Sequence, residues 1–525
     1  MQGIISHRLP FEATRAFSDV FIKYVNRREE LRPFYNHYPE PAAFEKQITE
    51  KQAHFGNKAR IVLHRVLQRQ YASLNTPQPV QQNMEALLRP ETFTVTTGHQ
   101  LNILTGPLYF IYKIITTINA CKELQEQYPA FRFVPVYWMA SEDHDVNEIR
   151  SVRIAGKTYT WKTPQQGPVG RFSTQGLDEL LNSIPADVRV FREAYTRHNK
   201  LADAVRYYVN ALFGEYGLLV VDGDEAELKH QFTAVMRDDL FNHSPHRLLT
   251  ATNEALAGLG YKPQVFVRPV NLFYLDNGLR ARIEQQGETY CITDTPVKFT
   301  SAELEDLLEK NPEKLSPNVI LRPLYQECVL PNLAYVGGPA EMAYWLQLKS
   351  LFAHWGIPMP VLLPRNFALL VTQSLYRKWQ KTGLSSEDLF KPLPELINEV
   401  TLRHAPEQIR LNGQKEAIRQ QLEQVRQNAR HIDASLIRMV EAETTRMLKS
   451  LEKIELKMLR AEKRKQSDRI RQITALKESL FPGGALQERT ENLLTFTAGN
   501  PELIHQLVQF LRPFDFRFNI CLVND

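Results

Sequence analysis

Thr92-Phe93-Thr94-Val95-Thr96-Thr97-Gly98-His99-Gln100-Leu101-Asn102-Ile103-Leu104-Thr105-Gly106-Pro107 is the stretch that decides the fold. Its first five residues are a β-favouring run. The run breaks at Thr97-Gly98-His99-Gln100, and from Leu108 a helical pattern carries on to Gln127. A second apolar run, Phe133-Val134-Pro135-Val136-Tyr137-Trp138-Met139, ends in Ser141-Glu142-Asp143-His144-Asp145. Strand, polar turn, helix, strand and polar end outline a βαβ unit, whose parallel strands place both polar ends at one edge of the sheet. Ligands of open α/β sheets bind at that carboxyl edge. The expectation is that His99 and residues 142–145 face one pocket, which the rest of the chain completes.

The 525 residues suffice for several domains. At 43% hydrophobic and 23% charged the composition is that of a globular protein. No apolar run approaches ~18 residues, and the start lacks a basic segment followed by an apolar core, so neither a membrane span nor a secretory signal is expected. The default location is the cytoplasm. The four cysteines, Cys121, Cys291, Cys328 and Cys521, are far apart, which argues against a disulfide framework and against a Cys-rich zinc site. The formal charge is +5, but residues 446–471 hold ten Lys/Arg against four Asp/Glu. The remainder is near neutral, which does not suggest a nucleic-acid binder.

Residues 1–91 read as mainly helical, with a long helix over 43–72 weakened at Gly56 and a short one at 85–88. Beyond the βαβ unit, Gly217-Leu218-Leu219-Val220-Val221-Asp222 reads as a buried strand. Val265-Phe266-Val267, Leu272-Phe273-Tyr274-Leu275 and Thr289-Tyr290-Cys291-Ile292 read as strand-like segments, and Thr300-Ser301-Ala302-Glu303 as a capped helix start. Tyr335-Val336-Gly337-Gly338-Pro339-Ala340-Glu341 has the pattern of strand, glycine-proline turn and helix. Pro358-Met359-Pro360-Val361-Leu362-Leu363 reads as the last core strand. No Gly or Pro lies between Gly413 and Pro482, and Ile418, Leu422, Val425, Ala429, Ile432, Leu436 and Met439 alternate by four and three, a coiled-coil pattern. Its compact form is a two-helix hairpin turning at residues 431–435, with Asp433 as N-cap of the second helix. The expected divisions are 1–150, N-terminal helices and the first half of the core; 151–310, core strands with inserted material; 311–380, the second half of the core; 381–481, the coiled coil; and 482–525, a C-terminal segment packing on the core.

Three constellations carry chemistry. His99 sits where a strand turns into a helix, beside Gly98, which permits close backbone approach. There it can donate to a phosphate or carboxylate, or it is part of a capping turn. Neither a P-loop nor a dinucleotide fingerprint is present. The carboxylates of Glu142, Asp143 and Asp145 around His144 repel one another unless a cation, a proton or a basic ligand compensates. They can hold a substrate amine, act as general base, bind a divalent metal, or form a solvated loop, and not all can serve one site because neighbours on a strand face opposite ways. Gly337 and Gly338 offer a second anion cradle or a tight packing turn. Lys449, Lys453, Lys457, Arg460 and Arg464 line one helix face, either solvated or set against an acidic ligand.

In its ordered motifs the chain resembles the cysteine-adding enzyme family of bacillithiol biosynthesis. The matching segments are Leu9-Pro10-Phe11, Leu31-Arg32-Pro33-Phe34-Tyr35, Thr97-Gly98-His99-Gln100, Leu104-Thr105-Gly106-Pro107-Leu108-Tyr109, and Glu142-Asp143-His144-Asp145. They continue through Leu321-Arg322-Pro323-Leu324-Tyr325-Gln326-Glu327, Tyr335-Val336-Gly337-Gly338-Pro339-Ala340-Glu341, Arg460-Ala461-Glu462-Lys463-Arg464-Lys465, and Leu486-Gln487-Glu488-Arg489. The resemblance implies an α/β fold: a Rossmann-like parallel-sheet core related to nucleotidylyl transferases and class I aminoacyl-tRNA synthetases, inserted α+β connective domains, and an antiparallel coiled coil that dimerises. It implies joining of L-cysteine to the amine of glucosaminyl-malate, the last step in making bacillithiol. Where such relatives hold ATP with a His-x-Gly-His motif, this chain reads Thr97-Gly98-His99-Gln100.

A carboxylate does not condense with an amine without activation, so such a ligase makes an acyl-adenylate or acyl-phosphate and stabilises its charge. The acceptor amine must lose a proton, to Asp143 or His144 in this reading. The expected catalytic residues are His99, Asp143 and His144. The expected ligand-binding residues are Thr97, Gly98, Gln100, Asn102 and Gly106 after the first strand; Glu142 and Asp145 after the second; and Arg322, Tyr335, Gly337, Gly338 and Glu341 further on. Lys457, Arg460 and Arg464 form the basic helix face. ATP is a possible cosubstrate, no metal is expected, and the expected partners are glucosaminyl-malate, cysteine and a second copy of the chain, with neither nucleic acid nor membrane. The competing readings are a degenerate nucleotide-binding scaffold and an aminoacyl-tRNA synthetase-like enzyme.

Overall fold

The computed structural model of the protein describes residues 6–524. The chain forms two compact units. It leaves the first after Leu370 and rejoins it at Leu486, and residues 371–485 with Ala13–Arg15 make the second.

The first unit is built on a five-stranded parallel sheet. Its elements in chain order are β1 (Thr92–His99), α1 (Leu108–Gln127), β2 (Arg132–Met139), β3 (Leu219–Asp222), α2 (Arg322–Val329), β4 (Asn332–Gly337), α3 (Pro339–Trp345) and β5 (Val361–Pro364). The spatial order is β3-β2-β1-β4-β5, with every neighbouring pair parallel. This is the doubly wound order, and it reverses direction between β1 and β4, where such sheets open a ligand crevice. The register His99 opposite Met139 and Met139 opposite Asp222 brings the ends of three strands to one level.

Strands buried on both faces are usually unbroken apolar runs, yet β1 carries four threonines and is buried almost throughout. Three of the hydroxyls stitch β1 to β4: Thr94 and Thr96 donate to Asn332 Oδ1 at 3.2 and 2.8 Å, and Thr97 to the Val336 carbonyl at 2.8 Å. The apolar residues of the same strand, Phe93 and Val95, join Leu124, Phe133, Leu333, Val336 and Leu363 in the core beside α1.

Between β3 and β4 the chain inserts a five-stranded antiparallel sheet, including Leu272–Asp276, Leu279–Gln286 and Thr289–Ile292. The helix Ser301–Lys310 that follows starts at the expected capping box of Thr300 and Glu303. Near the two ends of the chain, Ser6–Leu9 pairs antiparallel with Phe518–Val523. In the second unit, α4 (Asn412–Ile432) and α5 (Leu436–Lys465) form the coiled-coil hairpin, clasped by ion pairs of Lys415 with Glu455 and of Arg426 with Glu441. Pairs whose numbers converge toward the turn fix the helices as antiparallel. Among the described residues no helix is long and apolar enough to cross a membrane.

Local expectations are corrected at several places. Asp433 ends α4 instead of starting α5, which begins after Ser435; its carboxylate still accepts the Ser435 N–H at 2.8 Å, the Asx geometry that makes aspartate a turn residue as readily as an N-cap. Val265-Phe266-Val267 is a loop with Phe266 85% exposed, so its apolar run reports no buried strand. The short helix expected at 85–88 begins earlier, spanning Gln78–Ala86, and the long helix over 43–72 is two, Phe44–His54 and Asn57–Tyr71, parted at Gly56. Val361–Pro364 closes the parallel sheet, but another strand, Phe367–Thr372, follows it in a separate sheet.

Candidate functional site

The carboxyl ends of β1 and β4, where the strand order reverses and a ligand crevice is expected, are lined by backbone and by charge. Gly98, the penultimate residue of β1, packs against the Tyr335 and Arg322 side chains: a Cβ there would lie 3.1 Å from the Tyr335 hydroxyl and 3.5 Å from Arg322 Nη1. Lys113, a buried lysine on α1, donates to the Gly98 carbonyl at 2.6 Å and pairs with Glu341 at 2.7 Å. Glu341 also accepts the Tyr335 hydroxyl at 2.6 Å and the Gly338 N–H at 2.9 Å. Against the effect of burial, Lys113 and that N–H hold the Glu341 carboxyl below the usual range. Burial pulls Lys113 down, with Glu341 opposing. The N-terminus of α3, the expected anion cradle, therefore already holds a carboxylate of the protein.

His99 lies between the rings of Tyr109 and Phe110, at 5.2 and 5.0 Å between centroids. Burial, with the Lys113 cation adding to it, pushes its imidazole down to about 3. No well-aligned hydrogen bond reaches its Nε2, Arg322 Nη2, Asn102 Oδ1 or Gln100 Oε1, although the Asn102 side chain lies near enough to act on the imidazole and the Tyr344 hydroxyl near enough to act on Arg322. The loop beyond is held from several sides. Asn102 donates to the Glu148 carbonyl at 2.9 Å, the Asn492 amide donates to the Leu104 and Gly106 carbonyls at 2.7 and 2.6 Å, and the Leu104 N–H reaches the Tyr195 hydroxyl at 3.0 Å. Leu104 and Thr105 have φ of 53° and 71°, a left-handed backbone that costs about 1–3 kcal/mol per residue. Gly106, at φ 62°, packs so closely that a Cβ would sit 2.6 Å from that of Asn102.

The cluster after β2 splits three ways, Asp143 and His144 sharing one partner. Asp143 accepts from Gln100 at 2.8 Å and faces Arg280 at 3.5 Å. Burial alone would raise its carboxyl, but the Arg280 charge and hydrogen bonds from the His144 backbone N–H and the Gln100 amide hold it well below the usual range. His144 Nδ1 lies 2.9 Å from an Arg280 nitrogen, so it accepts there, and its other nitrogen carries the proton in the neutral ring. Glu142 turns instead to Lys229, at 2.5 Å. Lys229 is 1% exposed and also meets Asp224 at 3.4 Å. Asp145 caps the short helix Val146–Ile149, accepting the Asn147 and Glu148 N–H groups. Among the described residues no group of three or more His, Cys, Asp or Glu side chains is placed to hold a metal ion.

Comparison with known proteins covers the chain end to end. Residues 4–366 match the family described as bacillithiol biosynthesis BshC, N-terminal Rossmann-like domain, and residues 368–523 match its C-terminal coiled-coil domain. The chain belongs to the BshC family of bacillithiol biosynthesis. Among its relatives, a protein of Flavobacterium johnsoniae is 40% identical, over 98% of this chain and 99% of its own, and one of Cytophaga hutchinsonii is 39% identical over 99% of each. A third, from Flavobacterium psychrophilum, is 38% identical over 98% of each. All three carry the name "Putative cysteine ligase BshC".

In this BshC-family chain the crevice gathers Gly98, His99, Arg322, Tyr335, Gly337, Gly338 and Glu341, while Gln100 carries the same edge across to Asp143. Thr97 serves the sheet and Asp145 a helix cap. Lys457, Arg460 and Arg464 lie exposed on α5, in the second unit. Three charged groups of the edge escaped the sequence reading, Lys229 beside Glu142 among them. Lys113 left a signal, a single cation inside the apolar run Phe110-Ile111-Tyr112-Lys113-Ile114-Ile115. Arg280 left none, because it is delivered from the inserted sheet, its guanidinium 3.9 Å from the Phe273 ring centroid.

Proposed function

We propose that the chain joins L-cysteine to the amine of glucosaminyl-malate, the last step of bacillithiol synthesis, with ATP activating the cysteine carboxyl. The observation that carries the reading is the doubly wound switch point, which sets Arg322, a cation with a nitrogen that no well-aligned hydrogen bond reaches, at one end of a strand edge whose other end holds the ionised Asp143. An anionic substrate with an amine needs both signs of charge along one crevice.

For a nucleotide the residues fit in part. Arg322 Nη2 and His99 Nε2 are available to oxygen acceptors or donors, whereas the Gly338 N–H, the usual phosphate donor of such folds, is taken by Glu341. ATP supplies the phosphoryl or adenylyl group that makes a carboxyl carbon open to attack. The chain's own residues do the rest. Arg322 neutralises an oxyanion. His99, uncharged at neutral pH, hydrogen-bonds without adding charge. Asp143, too acidic to keep a proton, attracts the ammonium of the acceptor. His144 is the better base of the two, once its Nδ1 is released from Arg280.

The purified chain given glucosaminyl-malate, cysteine and ATP should form the thiol, with ADP or AMP telling acyl-phosphate from acyl-adenylate. Absence of thiol product with all three present overturns the reading. Asp143→Ala should lower turnover roughly ten- to a hundredfold, the effect of losing a charge-assisted contact to the acceptor amine, and unchanged turnover removes Asp143 from the mechanism.

A further inference from the structure

Behind the crevice lies a fully buried polar chain. Lys51 and Glu327 pair at 2.7 Å with neither side chain exposed at all. A buried ion pair gives little net stability over an apolar pair of the same volume, so its value here lies in what it orients. The remaining Glu327 oxygen accepts the Asn332 amide at 2.7 Å and the Gln326 Nε2 at 3.1 Å. With its nitrogen committed to that carboxylate, the Gln326 amide cannot flip, and its oxygen faces the other way. There it accepts Arg322 Nη1 at 3.2 Å, one helical turn back along α2. The Arg322 guanidinium lies beside the Tyr335 ring, 5.6 Å from its centroid, and near the Tyr344 hydroxyl, and no well-aligned hydrogen bond reaches its Nη2. The carboxylate whose charge acts on it, Glu341, is itself paired with Lys113 at 2.7 Å.

We propose that Gln326 is a positioning residue which, anchored by Glu327 and Lys51, aims the Arg322 guanidinium at the Gly98 edge and leaves its charge free for a carboxylate or phosphate oxygen of the substrate. The residue type matters. A neutral amide fixes the guanidinium without neutralising it, whereas a carboxylate at 326 would consume the charge meant for the ligand. The carboxylate one position on, Glu327, is turned away to Lys51. The proposal rests on the reading of Arg322 as the oxyanion end of the crevice.

The test is calorimetric titration of the full chain with malate and, separately, with inorganic phosphate, comparing wild type with Gln326→Met, Gln326→Glu and the double variant Lys51→Met with Glu327→Leu. Wild type should bind at least one probe, malate alone marking a substrate carboxylate and phosphate alone a nucleotide. Gln326→Met should weaken that binding roughly tenfold, the effect of losing a hydrogen bond to a charged group, and Gln326→Glu should weaken it further. The double variant replaces the buried charges with apolar volume and should show the same loss while its thermal midpoint holds, a split that a purely structural role does not give. Wild-type affinity in Gln326→Met and the double variant, affinity falling only in step with the folded fraction, or a wild type that binds neither probe overturns the proposal. A wild type that binds its probe and loses it in the variants, yet forms no thiol, supports the positioning role and overturns the ligase reading. Thiol formation with unchanged KM in the variants does the reverse.

Discussion

At neutral pH the His99 imidazole is uncharged, because burial and the Lys113 ammonium push it down to about 3. An unfolded histidine titrates near 6.5. Between these values the unfolded chain binds the proton that the folded chain refuses, so stability rises with pH across the window and is lost as pH falls from about 6.5 toward 3. His99→Gln keeps a polar group of similar reach and does not titrate. Wild type should therefore lose stability relative to His99→Gln by up to about 1 kcal/mol per pH unit below pH ~6, read from urea unfolding at several pH values. Parallel profiles would show that the ring is solvated. Lys51 makes a second prediction at this scale. Lys51→Met alone leaves Glu327 charged and buried, and should cost about 3–5 kcal/mol in the same assay; a cost below about 1 kcal/mol would mean that Glu327 takes up a proton and the pair is dispensable.

At the scale of elements, the turn between β1 and α1 is under strain and is held from outside. The Asn492 amide bonds two of its carbonyls from near the other end of the chain. Asn492→Ala should cost about 1–3 kcal/mol and should raise hydrogen exchange at residues 104–106 before it does so in β1. Unchanged exchange there would show that Tyr195 alone suffices. The elements themselves were legible wherever their signal was local. Thr92–Asp145 announced strand, helix and strand by alternation, a glycine break and helical periodicity, and the capping box at Thr300 was legible from two residues. The order of the strands was not, because β4 finds β1 through Asn332 and two threonines more than 230 positions away. The site divides along the same line. His99, Gly98 and Gln100 stood in one turn and could be named. Arg280 depends on tertiary approach, which periodicity does not carry, whereas the cap role of Asp145 had a local signal in Glu148 three residues on, hidden by reading the acidic run as one cluster. Gly337 and Gly338 left an anion cradle and a tight packing turn both open; Glu341, three residues past the N-cap, bonds back to the Gly338 N–H as in a capping box and takes the donor a ligand would use.

On the scale of the whole molecule, the hairpin leaves apolar surface uncovered. In a two-helix coiled coil each helix shields the apolar row of the other, as happens to Ala429 and Val440. Ile432 is nevertheless 80% exposed and Met439 57%, and Val425, Met447 and Ile454 are each close to half exposed. Exposed apolar rows of that kind mark an association surface, and we infer that a second copy covers it, since helix faces of heptad spacing are self-complementary about a two-fold axis. At micromolar concentration the 60.8 kDa chain should sediment at about twice its mass. Ile432→Glu together with Met439→Glu should return it to the monomer with its helical circular dichroism unchanged, because neither side chain is buried within the hairpin. Wild-type chain sedimenting as a monomer would rule out the dimer. A double variant that stays dimeric would move the interface to another face.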